Sequence, residues 1–167
     1  QTYRIYVGLG GTGNDTRKSG EGSWFKSASA VFAVGGTGAG LVLTSGVGTG
    51  AVALTTGNIG GTINTYGGNG ANGFDDGTTK YSGGGGSSAG DVNGNNALGM
   101  TGGLAPTNGI KGADGRNSDN AGANGGVGAG GSGAFRNSTT SVINGGAGGN
   151  GQVKITYTSY CTKYYSQ

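Results

Sequence analysis

Few residues of this chain can do chemistry. Histidine is absent, Cys161 is the only cysteine and Glu21 the only glutamate, which excludes metal-hydrolase clusters and histidine-based nucleophile triads. Asp75 and Asp76 are adjacent carboxylates, but neighbours in a glycine-flanked turn lack the separation and contrasting environments that make one an acid and the other a base. Asp91-Val92-Asn93-Gly94-Asn95 alternates oxygen donors like the opening of a calcium loop. The twelfth position, which should close such a site with a carboxylate, is Gly102. Asp114 with Asp119, like Asp75 with Asp76, would need carbonyls to complete a cation shell, and each reads as a solvated turn. Gly8-Leu9-Gly10-Gly11-Thr12-Gly13 matches the dinucleotide fingerprint behind a strand. The next residues, Asn14-Asp15-Thr16-Arg17-Lys18-Ser19-Gly20, read as a polar turn with no apolar helical stripe to place an N-terminus on a pyrophosphate. No catalytic, cofactor-binding or metal-binding residue is expected, and the chain does not read as an enzyme.

The charge balance narrows the partners. Net charge is +3, and the ten Lys and Arg are scattered, with Arg17-Lys18 the only adjacent pair. No basic stripe exists for a phosphate backbone, so nucleic acid is not an expected partner. No run of eighteen apolar residues is present to span a bilayer. With one cysteine there is no internal disulfide; Cys161 could cross-link two subunits in an oxidising compartment, or be an idle thiol. Asn14-Asp15-Thr16 and Asn137-Ser138-Thr139 are formal glycosylation acceptors.

The elements that must position these residues are unusual, because 45 of 167 residues are glycine while proline occurs once. Glycine loses more backbone freedom on ordering than any other residue, so this composition normally signals a flexible chain. Here charged residues are only 10%, against the high charge typical of disorder. Hydrophobic residues are 32%, many of them alanine, so the apolar core must be small.

The chain divides into three zones. In residues 2–66, Thr2-Tyr3-Arg4-Ile5-Tyr6-Val7, Ala30-Val31-Phe32-Ala33-Val34, Leu41-Val42-Leu43-Thr44 and Ala51-Val52-Ala53-Leu54-Thr55 read as strands bounded by glycine. Alternation places Tyr3, Ile5 and Val7 on one face. Residues 67–133 carry almost no strand signal but many Asn-Gly steps and glycines spaced by three, as at Gly122, Gly125, Gly128 and Gly131. A structureless loop of that length does not suit a compact domain. The spacing predicts polyglycine II helices packed side by side, each bonding to its neighbours because the conformation has no internal hydrogen bonds. Collagen would need an unbroken register and abundant proline. The third zone runs from a glycine cluster into Gln152-Val153-Lys154-Ile155-Thr156-Tyr157, a strand, with a strand-compatible tail to Gln167. No helix is expected. Trp24, Phe25, Phe32, Phe74, Tyr81 and Phe135 are expected to cap the sheets and plug the glycine layers.

The run Gly145-Gly-Ala-Gly-Gly-Asn-Gly-Gln-Val-Lys-Ile-Thr-Tyr157 resembles the closing signature of the bacterial and phage glycine-rich domain family. Tyr3-Arg-Ile-Tyr-Val-Gly-Leu-Gly-Gly11 and Gly22-Ser-Trp-Phe25 are similar to that family's mid-domain strand, glycine turn and small-aromatic step. The resemblance implies an all-β fold: an antiparallel β-sandwich or jelly-roll-like frame with long glycine-rich excursions. It also implies kinship with phage tail-tip adhesins and bacterial surface proteins. Such domains open with an earlier hydrophobic strand, and this chain starts past that point, so an open sheet edge is expected. Residues 1–157 then form the glycine-rich domain, and residues 158–167 a tyrosine-rich extension able to add a strand to a neighbour.

Two functions are expected. The first is a secreted structural subunit that self-assembles into an extracellular filament or surface fibre, with Tyr3, Ile5, Val7, Tyr157, Tyr160, Cys161, Tyr164 and Tyr165 at the interface between identical copies. The second is an adhesin binding a cell-surface protein or glycan through Asn93, Asn95, Asn96, Asn117 and Asn120. A flat ice-binding face would need threonine or alanine repeated at fixed spacing, which no segment offers.

Overall fold

The computed structural model describes residues 2–13, 19–37, 50–136 and 143–156. Among them there is no helix, and the strands are short. β1 (Ile5–Tyr6), β2 (Ser23–Phe25) and β3 (Val31–Ala33) form an antiparallel sheet in the order β1-β2-β3, while β4 (Phe74–Asp75) and β5 (Lys80–Tyr81) form a separate hairpin. The register sets Ile5 opposite Phe25 and Phe25 opposite Val31 on one face, and Tyr6 opposite Trp24 and Trp24 opposite Phe32 on the other. These are the β-branched and aromatic residues that fit a pleated surface.

Between the two sheets lie extended stretches joined laterally by backbone hydrogen bonds. Residues 82–88 run through the middle. The N–H groups of Ser82, Gly85 and Ser88, each three residues from the next, donate to Arg116, Ala113 and Ile110. The carbonyls of Gly83 and Gly86 accept from Gly133 and Gly130, and those of Gly84 and Ser87 accept from Ala71 and Gly68. Gly84 and Ser87 also donate to Gly99 and Asn95, and Gly85 accepts from Gly103. The same spacing recurs outward: Gly122, Gly125 and Gly128 donate to Asn144, Ala147 and Asn150, while Gly148 and Gly151 donate to Gly11 and Gly8.

The interior this creates holds almost no side chain. Every buried residue among those described is glycine, serine or alanine, and all of residues 82–88 are buried. Ala129 is the sole buried hydrophobe among them. Neighbouring backbones come so close that a methyl group on Gly83 would land on the carbonyl of Ala71, and one on Gly149 on the carbonyl of Gly126. Glycine is therefore required for approach, and the cohesion comes from satisfied backbone groups more than from apolar burial.

Four sequence expectations need correction. The aromatics do not plug the interior: Tyr3 packs on Phe25, Tyr6 stacks on Trp24, and Phe74 stacks on Tyr81, none of them buried. A lattice with room only for a hydroxyl leaves the rings at its ends. Residues 51–55 are no strand, because side chains take the ladder's place: Val52 N–H donates to Thr37 Oγ1 and Ala53 N–H to Asn69 Oδ1. Residues 152–156 are no strand either, although Gly151 still pairs with Gly8. The hairpin at Phe74–Asp75 and Lys80–Tyr81 lies inside the zone whose sequence carries almost no strand signal. The expected strand at residues 41–44 falls outside the described residues.

Candidate functional site

The site that stands out is a surface, and it begins at β1. Lys26 N–H donates to Arg4, on the side of β2. Among the described residues, no backbone hydrogen bond reaches the opposite edge of Ile5 and Tyr6. Its side chains are apolar and open, with Tyr3 44%, Ile5 50% and Val7 44% exposed. The far side of the sheet is closed where Phe32 and Ile59 exchange two backbone hydrogen bonds.

Glu21 ties β1 to the stretch that leads into β2. Its Oε2 accepts from the Tyr6 hydroxyl and from Leu9 N–H. The hydrogen bond from Tyr6, then that from Leu9, holds the Glu21 carboxyl below its ordinary range, and the same contact with Glu21 pushes the Tyr6 hydroxyl up. Tyr6 is thereby held beside Trp24, ring centroids 5.7 Å apart.

At the β4–β5 end, Phe74 and Tyr81 stack 5.5 Å apart. The connecting turn is built by its carboxylates: Asp75 Oδ1 accepts Gly77 N–H, and Asp76 Oδ1 accepts the N–H groups of Thr78 and Thr79. Those bonds, that from Thr79 foremost, hold the Asp76 carboxyl below its ordinary range. Lys80 sits 3.4 Å from Asp75. Sequence reading takes Asp75 and Asp76 only as a turn; the signal it misses is the pair of aromatics flanking a short glycine-containing loop.

The asparagines expected to bind through loops are mostly committed elsewhere. Asn93 Oδ1 accepts Tyr66 N–H while Gly94 N–H donates to Tyr66, and Asn96 Oδ1 accepts Asn69 N–H while Ala97 N–H donates to Asn69. Asn95 donates through its side chain to Leu104, and its N–H donates to the Ser87 hydroxyl. Asn120 exchanges two backbone bonds with Phe135, and Asn117 lies exposed in the turn before it. Tyr157, Tyr160, Cys161, Tyr164 and Tyr165 lie outside the described residues.

Two further carboxylates are held structurally. Asp114 bonds Lys111 Nζ at 2.7 Å and Gly102 N–H at 2.8 Å, and Asp91 accepts from the Asn108 side chain. Among the described residues no three His, Cys, Asp or Glu side chains gather where an ion could sit, and no helix is long and apolar enough to cross a membrane. No family model, curated protein or solved structure matches this chain. The geometry is thus the sole guide, and it offers an apolar strand edge and an aromatic hairpin carried by a backbone-bonded body.

Proposed function

We propose that this chain is a structural subunit that assembles with copies of itself outside the cell, forming a filament or surface fibre through strand addition at β1. The apolar edge of Ile5 and Tyr6, which makes no outward backbone bond to another described residue, carries this reading, because exposed strand edges are templates that monomeric proteins blunt or cover. Here only Arg4 interrupts the apolar run from Tyr3 to Val7. The glycine-rich stretches are polyglycine II helices in this reading. Lateral bonds repeating every third residue support it, since three residues make one turn of that conformation. The sheets and lattice together form the sandwich-like frame that the resemblance to glycine-rich domains implies. Negative-stain microscopy of the intact chain, beside a chain ending at Tyr157, is the test. Filaments from the first and fewer from the second are expected; soluble monomers from the intact chain under native conditions would end this proposal.

An adhesin is the second reading, favoured by apolar side chains displayed to solvent, Leu98 beside a turn at 85% and Leu104 at 65% exposure. Of the five asparagines considered for it, Asn117 is the one in an exposed turn without a lattice contact to perform. Replacing Asn117 and Leu104 and measuring attachment to cells separates the two readings, because a filament subunit keeps assembling after both changes.

A further inference from the structure

Part of the lattice closes on itself. Residues 8–13, 145–151, 129–134, 82–88, 67–72, 50–54, 33–37 and 20–23, taken in that order, each bond to the next stretch. Gly8 and Gly11 accept from Gly151 and Gly148, Ala129 and Ser132 from Gly149 and Gly146, and Gly86 and Gly83 from Gly130 and Gly133. Ser87 and Gly84 accept from Gly68 and Ala71, and Ala51 accepts from Gly70. The Thr37 hydroxyl holds both backbone groups of Val52, and Gly36 accepts from Gly20. Glu21 N–H donates to Leu9, which completes the circuit. In each pair the two stretches run antiparallel, and an even number of them lets such a ring close without a mismatched neighbour.

The ring surrounds a cavity of about 690 Å³, lined by residues from all eight stretches. Every residue from Ser82 to Ala89 lies on its wall, so it follows the central stretch for about 20 Å at the rise of an extended chain. A volume of that size drawn out over that length is a bore. Its wall is apolar for a structural reason: the lateral bonds use the N–H and C=O groups around the circumference, which leaves Cα hydrogens and small side chains facing inward. Among the described residues of the wall only Glu21 and Arg136 are charged, and Glu21 Oε2 is committed to Tyr6 and Leu9. Leu9 and Val52 line the cavity and are each 60% exposed, and Leu54 lines it as well. The ring thus carries apolar surface that its own packing does not cover.

We propose that this ring binds one long aliphatic chain, of the fatty-acid class, threaded along its axis. The volume lies within the range of small-molecule sites, and a closed ring of eight extended stretches is wide enough to hold one slender ligand. Methylene groups match a wall of Cα hydrogens, methyl groups and leucine and valine side chains, since they bring no polar atom that would need a partner there. The bore's length favours an extended chain over a compact fused-ring molecule. This activity is independent of self-assembly and adds a ligand to a body otherwise read as structural.

The test uses the intact chain and cis-parinaric acid, a fatty acid that fluoresces on leaving water. Saturable uptake of a single molecule per chain, displaced by palmitate, is expected. Val52→Trp narrows the bore and Leu54→Glu sets a charge on its wall, and each should weaken uptake by about tenfold or more. Val92→Glu, at a site 56% exposed and away from the wall, should leave uptake unchanged. Palmitate should raise the thermal midpoint of the parent chain and not those of the two wall variants, whose cooperative transitions show that they fold. No saturable uptake by the parent chain overturns the proposal. Uptake that both wall variants leave unchanged also overturns it, by placing the fatty acid on an outer surface. Uptake is read whether or not the chain assembles, so the failure of either reading leaves the other standing.

Discussion

Ser88 holds Ile110 by two bonds from a single residue: Ser88 N–H donates to the Ile110 carbonyl at 2.9 Å, and the Ser88 hydroxyl accepts Ile110 N–H at 2.7 Å. Ser82 treats Arg116 the same way, Ser87 treats Asn95, and Ser132 treats Ala123. Serine is thus the core residue here because its side chain is just long enough to take the N–H that the backbone lattice leaves over. Replacing Ser88 by alanine strands the Ile110 N–H beside a buried position and should cost about 1–3 kcal/mol. Urea denaturation checks this against Ser29→Ala, an exposed site expected to change stability by less than about 0.5 kcal/mol.

Asparagine makes a longer version of this clamp at the rim. Asn124 Oδ1 accepts Ala147 N–H at 2.9 Å while the next N–H, that of Gly125, donates to the Ala147 carbonyl at 2.8 Å. Asn124→Ala should lower stability by about 1 kcal/mol, less than Ser88→Ala because water reaches Asn124. Asn124→Asp keeps the acceptor and should cost less than alanine; thermal unfolding of the three chains ranks them. Equal losses from Asp and Ala would rule out the clamp.

The strand at residues 31–33 was legible because β-branched and aromatic side chains report a pleated surface directly. The lattice was legible only as a spacing of glycines. Its serines and asparagines were not, since the same residue types serve solvated turns, and only the neighbour's register decides which N–H an oxygen meets. Asn93 and Asn96 illustrate this: read alone they are loop side chains, whereas beside residues 66 and 69 they are rungs. The aromatics misled in the opposite direction. A large ring ordinarily marks a core, but a backbone packed to glycine distance excludes it, and Trp24 and Phe74 are left on the surface sheets.

The glycines should divide sharply by position. Gly83→Ala places a methyl group against the Ala71 carbonyl in the buried central stretch, where neither backbone can yield, so a loss exceeding about 3 kcal/mol or failure to fold is expected. A methyl group at Gly36 meets nothing within 4 Å. Gly36→Ala should therefore leave stability unchanged or raise it by about 0.4–1 kcal/mol, by restricting the unfolded chain. Denaturation midpoints decide; similar effects at both sites would contradict close backbone packing as the reason for glycine.

Stability should hold across neutral pH and fall at both extremes, for separate reasons. Hydrogen bonds hold the carboxyls of Glu21 and Asp76 below their ordinary values, and Asp114 is held down chiefly by Lys111. For an acid with a depressed folded pKa, the stabilisation is complete above the unfolded value and disappears as pH falls through the folded one. Loss should therefore begin near pH ~4 and grow below it. Tyr6 works oppositely, since its hydroxyl titrates above the ordinary value while it donates to Glu21. Its contribution is complete below about pH 10 and vanishes as pH rises through the folded value. Tyr6→Phe removes the bond that links the two. Unfolding midpoints of this variant across pH should show a weaker acid dependence, because Glu21 loses its foremost stabilising partner, and a smaller decline at alkaline pH. An unchanged profile at both ends would mean that the Tyr6–Glu21 contact does not contribute to the pH response.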